Sequence, residues 1–332
     1  MIKVSFLPLY NIQGPSSRYR VYQLIPFLSN YGFECRCLEA PERKFWKRNT
    51  YLPRLITAAR KSDILFIQKR TFPLRILDFL HYLNPQIIFD FDDAIFLETR
   101  RREQVDAILS KAKWVIAGNE YLAVYAQQLN HQVSVIPTVV DINTYTPPPK
   151  GRYLNIQKTI IGWIGTNPNR GDFAAMQPVL DWLCENYAEQ VVVRIIANRP
   201  LEIKTKLPIE FIPWKLETSR SELQKFDIGL MPMENNPWNH GKCGLKLIQY
   251  MAVGAVPLAS PVGVNQTIIR AGETGLLADT VEQWTSGLKY LIDNPKIRVD
   301  MGHQGRLHVE KNFSVQSILP ALLKVLNQTA SP

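Results

Sequence analysis

Residues 227–260 read DIGLMPMENNPWNHGKCGLKLIQYMAVGAVPLAS. Two short apolar runs, Ile228–Met231 and Val256–Ala259, bracket a stretch of helical period between Cys243 and Val253. Neither run alternates polar with apolar residues, so each reads as a strand buried on both faces, which is the mark of a parallel sheet covered by helices. Pro232 closes the first strand and Gly254 closes the helix. The polar loop between them carries Trp238, Asn239, His240 and Gly241. Strand, loop, helix and strand in this order are one turn of a doubly wound α/β fold.

The same rhythm extends in both directions. Towards the N-terminus of the second half, strands are expected at 159–164, 191–197 and 210–212, with helices at 172–187 and 218–225. Beyond the quoted stretch come helices at 262–271, 281–294, 296–311 and 314–326. The first half repeats the pattern. Strands are expected at 2–7, 33–38, 64–67, 86–91, 114–117 and 133–136. Helices are expected at 17–30, 53–61, 75–83, 102–110 and 120–129. Ser16 and Ser17 read as caps for the first of these helices, with Gly32 as its stop. Thr146-Pro147-Pro148-Pro149-Lys150-Gly151 interrupts the alternation, because three prolines fit neither a helix nor a central strand. The expectation is therefore two Rossmann-like doubly wound domains in tandem. They comprise residues 1–145 and 153–312, with a linker at 146–152 and a last amphipathic helix in 313–332.

The bulk numbers agree. The 332 residues suffice for two cores, and 46% apolar with 20% charged residues is an ordinary globular balance. No stretch approaches the roughly 18 consecutive apolar residues of a membrane span, and Met1–Tyr10 reads as a first strand rather than a signal peptide. Cys35, Cys37, Cys184 and Cys243 lack paired zinc-ligand spacing and are too few for a disulfide scaffold, so a reducing cytoplasm is the simplest setting. The net charge is +10, and eight basic residues fall between Arg36 and Lys61, interleaved with Phe45, Trp46 and Tyr51. That stretch reads either as a solvated surface or as a patch that docks on an anionic membrane face. No nucleic-acid module accompanies it, so nucleic acid is not an expected partner.

In doubly wound sheets, ligands bind beyond the carboxyl ends of the strands. Four loops qualify. Gly14 allows a tight turn after the first strand and brings Ser16–Arg18 to a helix start that suits an anion. Asp90-Phe91-Asp92-Asp93 sets three carboxylates at a strand end, where they must be hydrated, paired or metal-bound. Asp92 and Asp93 are the candidates for contact with a sugar or acceptor. Asp90 and Asp92 also have DxD spacing. Gly165-Thr166-Asn167-Pro168-Asn169-Arg170 leads into a helix and forms a credible phosphate cradle. Finally, Lys242 and Lys246 are four apart, which would put two ammonium groups on one face at the start of helix 243–253, beside Gly244. Such a pair opposes the helix dipole and calls for an anion such as a diphosphate. Two solvated lysines are the plainer alternative. Gln249 would reach a ribose hydroxyl. His240 would touch a phosphate or hold a structural position.

At these residues the chain resembles the GT-B glycosyltransferases of family 4. Gly162–Gly165, Asp227–Pro232, Lys246–Gly254, Ser260–Asn265 and Gly272–Leu277 resemble the family's C-domain signature, and Phe89–Ile95 and Pro137–Asp141 fit one branch of it. The resemblance implies a retaining hexosyl transfer from a nucleotide-diphosphate sugar, such as a UDP- or GDP-sugar, held by the second domain. It implies two domains facing a cleft, an acceptor held by the first domain, a final helix in 313–332 crossing back to that domain, and no obligatory metal or other cofactor. The expected acceptor is a glycan or a lipid-linked glycan, in cell-surface polysaccharide or glycolipid synthesis. The expected location is cytoplasmic, peripheral on the inner face of the membrane. Donor contacts would come from Gly14, Gly165, Thr166, Asn167, Arg170, Trp214, His240, Lys242, Gly244, Lys246 and Gln249. Arg170, Lys242 and Lys246 would stabilise the departing diphosphate, with Trp214 near the base. Lys246, Asp92 and Asp93 are the catalytic candidates. Two departures stand out. The family's Glu-x7-Glu pair falls on Gly241 and Gln249, and the Arg of its Arg/Lys grip falls on Gly165. They leave open a non-catalytic relative that binds a nucleotide sugar or glycan.

Overall fold

The computed structural model describes residues 1–39, 51–148, 158–165 and 170–331. The chain forms two compact units. The first comprises Met1–Val139, His240–Cys243 and Ile318–Pro332, and the second comprises Val140–Asn239 and Gly244–Ser317.

The first unit is built on six parallel strands: β1 (Ile2–Pro8), β2 (Phe33–Cys37), β3 (Ile64–Gln68), β4 (Ile87–Phe91), β5 (Trp114–Ala117) and β6 (Val133–Val135). Their order across the sheet is β2-β1-β3-β4-β5-β6. Register runs Val4↔Cys35 on one side of β1 and Val4↔Ile64 on the other. The second unit repeats the plan with β7 (Thr159–Gly165), β8 (Val191–Ala197), β9 (Ile209–Pro213), β10 (Ile228–Met231), β11 (Val256–Ala259) and the short β12 (Leu276–Leu277), in the order β12-β11-β10-β7-β8-β9. All eleven expected strands are present to within a residue at each end; β12 is an addition. The fold is α/β with two doubly wound sheets. In each sheet the strand order reverses at one place, between β1 and β3 and between β7 and β10. Loops part there to opposite faces and leave a crevice at the strand ends.

Both sheets are sealed by apolar burial. β3 and β4 are buried along their whole length. In the second unit Trp163, Ile195, Leu230 and Leu258 pack with Leu183 and Leu288 in one core. Gly162 and Gly229 face each other in register. A Cβ on Gly162 would stand 2.1 Å from the Phe226 ring, and one on Gly229 would stand 2.4 Å from the Tyr250 ring. The paired glycines thus make a shallow trough in which these two rings lie against the sheet.

Several helices depart from expectation. The stretch 172–187 is split into Arg170–Ala174 and Gln177–Tyr187, 262–271 keeps only Asn265–Ile268, and the last helix runs on to Ala330. Residues 17–30 do not form one α-helix. A short turn Pro15–Ser17 starts after Gly14, with Pro at its first position, and passes into a π-helical segment Arg18–Tyr22 and then a second α-helix Ile25–Ser29. The backbone N–H of Gln23 donates to the Arg18 carbonyl at 3.0 Å, a five-residue span that widens the turn. Ser17 is not a cap. Its hydroxyl accepts from the Tyr10 N–H and donates to Gln68 Oε1. Likewise helix 243–253 begins only at Leu245 and runs to Ala252. Gly244 before it has φ +64°, a left-handed turn that stops the helix from reaching Lys242.

Candidate active site

In the first unit the loops after β1, β3, β4 and β5 meet at the carboxyl end of the sheet. After β4, the Asp90 carboxylate is buried and takes the guanidinium of buried Arg20 side-on, with Arg20 Nε 2.8 Å from Oδ2 and 3.0 Å from Oδ1. Arg20 Nη1 also donates to the Ile136 carbonyl at 3.0 Å. The π-helical turn carries Arg20, and widened turns of this kind often mark functional sites. Asp90 therefore gives both oxygens to Arg20, and the DxD spacing with Asp92 does not form a chelating pair. Among the described residues, no three His, Cys, Asp or Glu side chains converge as a metal-ligand set.

After β3 stands Lys69, a residue that the sequence pattern does not single out. It is the one non-glycine residue of positive φ among the described residues, at +55°. Its side chain is 7% exposed, and its ammonium lies 3.1 Å from Asp92 Oδ1, in contact with Asp93 Oδ2, and 3.2 Å from Ser16 Oγ. Left-handed non-glycine residues store strain and cluster at functional sites. Burial alone would raise the Asp92 carboxyl, but Lys69 and Arg20 outweigh it and hold the group below the usual carboxylate range. Asp93 moves the other way. Its burial and the neighbouring Asp92 charge outweigh Lys69 and Lys242 and raise it.

The four residues His240–Cys243 complete this end of the unit. Asn119, the cap of helix Glu120–Gln127, accepts from the Leu122 N–H and donates to the Lys242 carbonyl at 3.0 Å. The Cys243 thiol donates to the Asp92 carbonyl at 3.3 Å, and burial pushes its pKa up. The His240 ring packs against Tyr121 at 5.8 Å. Gly241 lies against Ala94; an added Cβ would stand 2.7 Å from the Ala94 nitrogen. Gly14, at the first helix start, carries the turn after β1, and a Cβ there would meet the Tyr10 side chain at 2.3 Å.

In the second unit the residues converge after β7 and β10. Lys246 and Tyr250, four apart on helix Leu245–Ala252, share one face. Tyr250 accepts from the Ile164 N–H at 3.2 Å and donates to the Leu230 carbonyl at 3.1 Å, bridging β7 and β10 where the strand order reverses. Lys246 Nζ sits 4.8 Å from the Trp163 ring centroid, a cation–π contact. The Trp163 ring in turn occupies the space that a side chain on Gly165 would need, 2.1 Å from its Cβ position.

Contrary to expectation, Lys242 and Lys246 do not share the face of one helix, because the helix starts at Leu245. Gly244 ends the helix between them, Lys242 belongs to the first unit and Lys246 to the second. Gln249 is buried, and its amide donates to the Tyr145 hydroxyl at 2.9 Å. Trp214 is half-buried after the edge strand β9, with its N–H on the Ala197 carbonyl. Arg170 opens helix Arg170–Ala174. Thr166 and Asn167 lie outside the described residues, as do residues 40–50 of the basic stretch. Of that stretch Arg36, Arg54, Arg60 and Lys61 are exposed and line one groove with Lys3. No helix among the described residues is long and apolar enough to cross a membrane.

No curated protein matches the chain in sequence. Solved structures do match it in fold. The Anabaena protein HepE, in complex with UDP and glucose, aligns over 99% of this chain and 100% of its own, with a TM-score of 0.75 at 14% identity. Sucrose-phosphate synthase from Thermosynechococcus elongatus aligns over 99% of each chain with a TM-score of 0.74 at 14% identity. An alpha-glucosyltransferase in complex with UDP-glucose and DNA covers 98% of this chain and 99% of its own, with a TM-score of 0.73 at 10% identity. Residues 163–294 match the family model of the glycosyl transferases group 1, so the chain combines the two-sheet GT-B fold with that family's sequence pattern across most of its second sheet.

Proposed function

We propose that this protein is a retaining glycosyltransferase that moves a hexose from a nucleotide-diphosphate sugar to a glycan or lipid-linked acceptor. One observation carries the reading. The group 1 glycosyl transferase match begins at Trp163 and spans Gly165, Lys246 and Tyr250, the residues gathered where the second sheet's strand order reverses. A uridine donor is the first choice, because HepE was solved with UDP and the alpha-glucosyltransferase with UDP-glucose.

In this reading Lys246 meets the diphosphate. Charge grows on that leaving group as the glycosidic bond breaks, so a fixed ammonium stabilises the transition state more than the ground state. Trp163 holds the ammonium in place through its ring face. Arg170, at the start of helix Arg170–Ala174, is the further cation proposed for the diphosphate. Asp92 and Asp93 serve the sugar or the acceptor. The exposed basic residues Arg36, Arg54, Arg60 and Lys61 serve a peripheral contact with anionic lipid, in the synthesis of a surface polysaccharide or glycolipid.

The test is a thermal-shift screen against UDP, GDP, ADP, CMP and their sugars, with chelator and then with metal. A ligand that binds only the native state raises the midpoint by mass action. A shift with a uridine diphosphate sugar in chelator is expected, and Lys246→Ala should remove most of it. No shift with any nucleotide sugar would sink the proposal. A second reading, a nucleotide-sugar binder without turnover, is favoured by the absence of carboxylates at Gly241 and Gln249. Sugar release measured with and without candidate acceptors separates the two.

A further inference from the structure

We propose that Lys69 is a positioning residue that divides the roles of the two carboxylates after β4: it locks Asp92 as a fixed counter-charge and presents Asp93 as the group that meets a hydroxyl of the bound ligand. This assignment rests on the transferase reading for its ligand, while its geometry stands on its own.

The geometry begins with a count of protons. A lysine ammonium has three donors and no acceptor. Lys69 has three acceptors around it: Asp92 Oδ1 at 3.1 Å, Asp93 Oδ2 in contact, and Ser16 Oγ at 3.2 Å. A cation at the carboxyl end of β3, beside the place where strand order reverses, would otherwise be read as a phosphate ligand. Here the ammonium hydrogen-bonds Asp93 and Ser16 and pairs by charge with Asp92, whose Oδ1 has no hydrogen-bond partner among the described residues.

The backbone is built to deliver it there. The Lys69 N–H donates to the Asp90 carbonyl at 2.6 Å, and its own carbonyl accepts from Arg101 Nη2 at 3.0 Å. Held at both ends, the residue keeps its left-handed φ of +55°, a strained conformation that persists only where the surroundings enforce it. An extended backbone would send the side chain elsewhere.

The two carboxylates then differ by exposure. The Asp92 side chain is 10% exposed and that of Asp93 is 21%. Arg20 lies near Asp92, and the Cys243 thiol donates to the Asp92 carbonyl. Lys242 is the additional charge near Asp93. The Asp92 carboxylate is thus enclosed by cations, whereas Asp93 keeps an accessible edge. The opposite displacements of their acidities agree with this division.

The experiment uses the full chain and has two readouts. Infrared titration of the ligand-free protein reads the protonated carboxyl band. That band should persist above the ordinary carboxylate range, lose the Asp93 share but keep that of buried Asp90 in Asp93→Asn, and have its Asp93 share extend about one pH unit higher in Lys69→Met, because a cation that favours ionisation has gone. Steady-state kinetics should show that Lys69→Met lowers kcat by about 100-fold through misplacement of Asp93, moves the acid limb of kcat upward, and leaves donor Kd unchanged. Lys69→Arg should recover part of kcat. Should Lys69→Met fail to fold, the double variant Lys69→Met/Asp93→Asn removes one cation and one anion together and should bind donor without turnover. An unmoved carboxyl band in Lys69→Met, donor affinity falling in step with kcat, or a double variant with wild-type kcat would each overturn the proposal. A moved band in a protein that turns over no nucleotide sugar would remove the transferase reading and support the division of roles.

Discussion

A Cβ on Gly241 would stand 2.6 Å from the Ala94 Cβ and 2.7 Å from its nitrogen. The position where the resemblance expects a glutamate has no room for any side chain, so the loss of that carboxylate is a packing fact rather than a gap in the sequence. The carboxyl groups that stand after β4 in the first unit are Asp90, Asp92 and Asp93, and their pairing makes a stability prediction. Asp92 has a folded pKa below its ordinary value, so the folded protein binds fewer protons there than the unfolded chain. Its contribution is present above the ordinary carboxylate range and fades as pH falls through the folded value. Asp92→Asn should therefore cost about 2 kcal/mol at neutral pH, and the deficit should close below about pH 4. Asp93 has the opposite sign, its pKa being raised, so its contribution is lost as pH rises and Asp93→Asn should cost little at pH 7. Urea titrations at several pH values check both, and a deficit for Asp92→Asn that ignores pH would refute the pairing. Asp92, Asp93 and Lys246 are visible from sequence because carboxylates at a strand end and lysines after a loop are unusual. Lys69 is not, because one lysine between Gln68 and Arg70 looks like any surface cation until its φ is known.

Strands are easy to read, since runs such as Ile64–Ile67 and Val191–Ala197 have no polar residue that could face water on the covered side, except Arg194, which pairs with Glu210. Helices are harder where the chain bends for the site. The π-turn at Arg18–Tyr22 leaves no mark in the apolar period, yet it carries the arginine that buries Asp90. Gly244 offers a clearer signal, a glycine next to a helical run, but helical period alone absorbs it into the helix and hides the boundary. Its left-handed φ, and the Ile268 Cδ1 atom 2.2 Å from where an added methyl would stand, leave alanine no comfortable fit. Gly244→Ala should lower stability by about 1–3 kcal/mol, read as a lower urea midpoint. Donor affinity should weaken with it, because Lys246 stands two residues further on. A variant with unchanged midpoint would contradict the left-handed turn.

For the molecule as a whole, strand order is the illegible quantity. Alternating strands and helices announce parallel sheets, but nothing local states that β3 lies beside β1 while β2 lies on its other side. Without that order the crevices at β1/β3 and β7/β10 cannot be located. The interleaving of the units is legible in part: the resemblance implies the return of the last helix to the first unit, whereas the place of His240–Cys243 in that unit leaves no mark in the sequence. Within the first unit Ile318 and Leu322 are buried and share a small cavity with Tyr19, Leu24, Phe66 and Val139. Burying each such side chain is worth roughly 1.5–3 kcal/mol, a large share of the roughly 5–15 kcal/mol that holds a domain together. Residues 1–139 produced alone should therefore lack a cooperative thermal transition, and a peptide of residues 314–331 added in trans should restore one. A fragment that melts cooperatively without the peptide would show that the last helix is dispensable to the first unit.

The same helix sets a clock on the ribosome. The strands of the first unit are made before the second unit, but the apolar side chains of Ile318 and Leu322 that pack on them are made only after it. At about 5–20 residues per second, translation from Val139 to Ile318 takes roughly 10–40 seconds. Throughout that interval the nascent chain holds a nearly finished sheet with one flank bare, so chaperone demand should peak while the second unit is still being made and fall once the last helix has emerged.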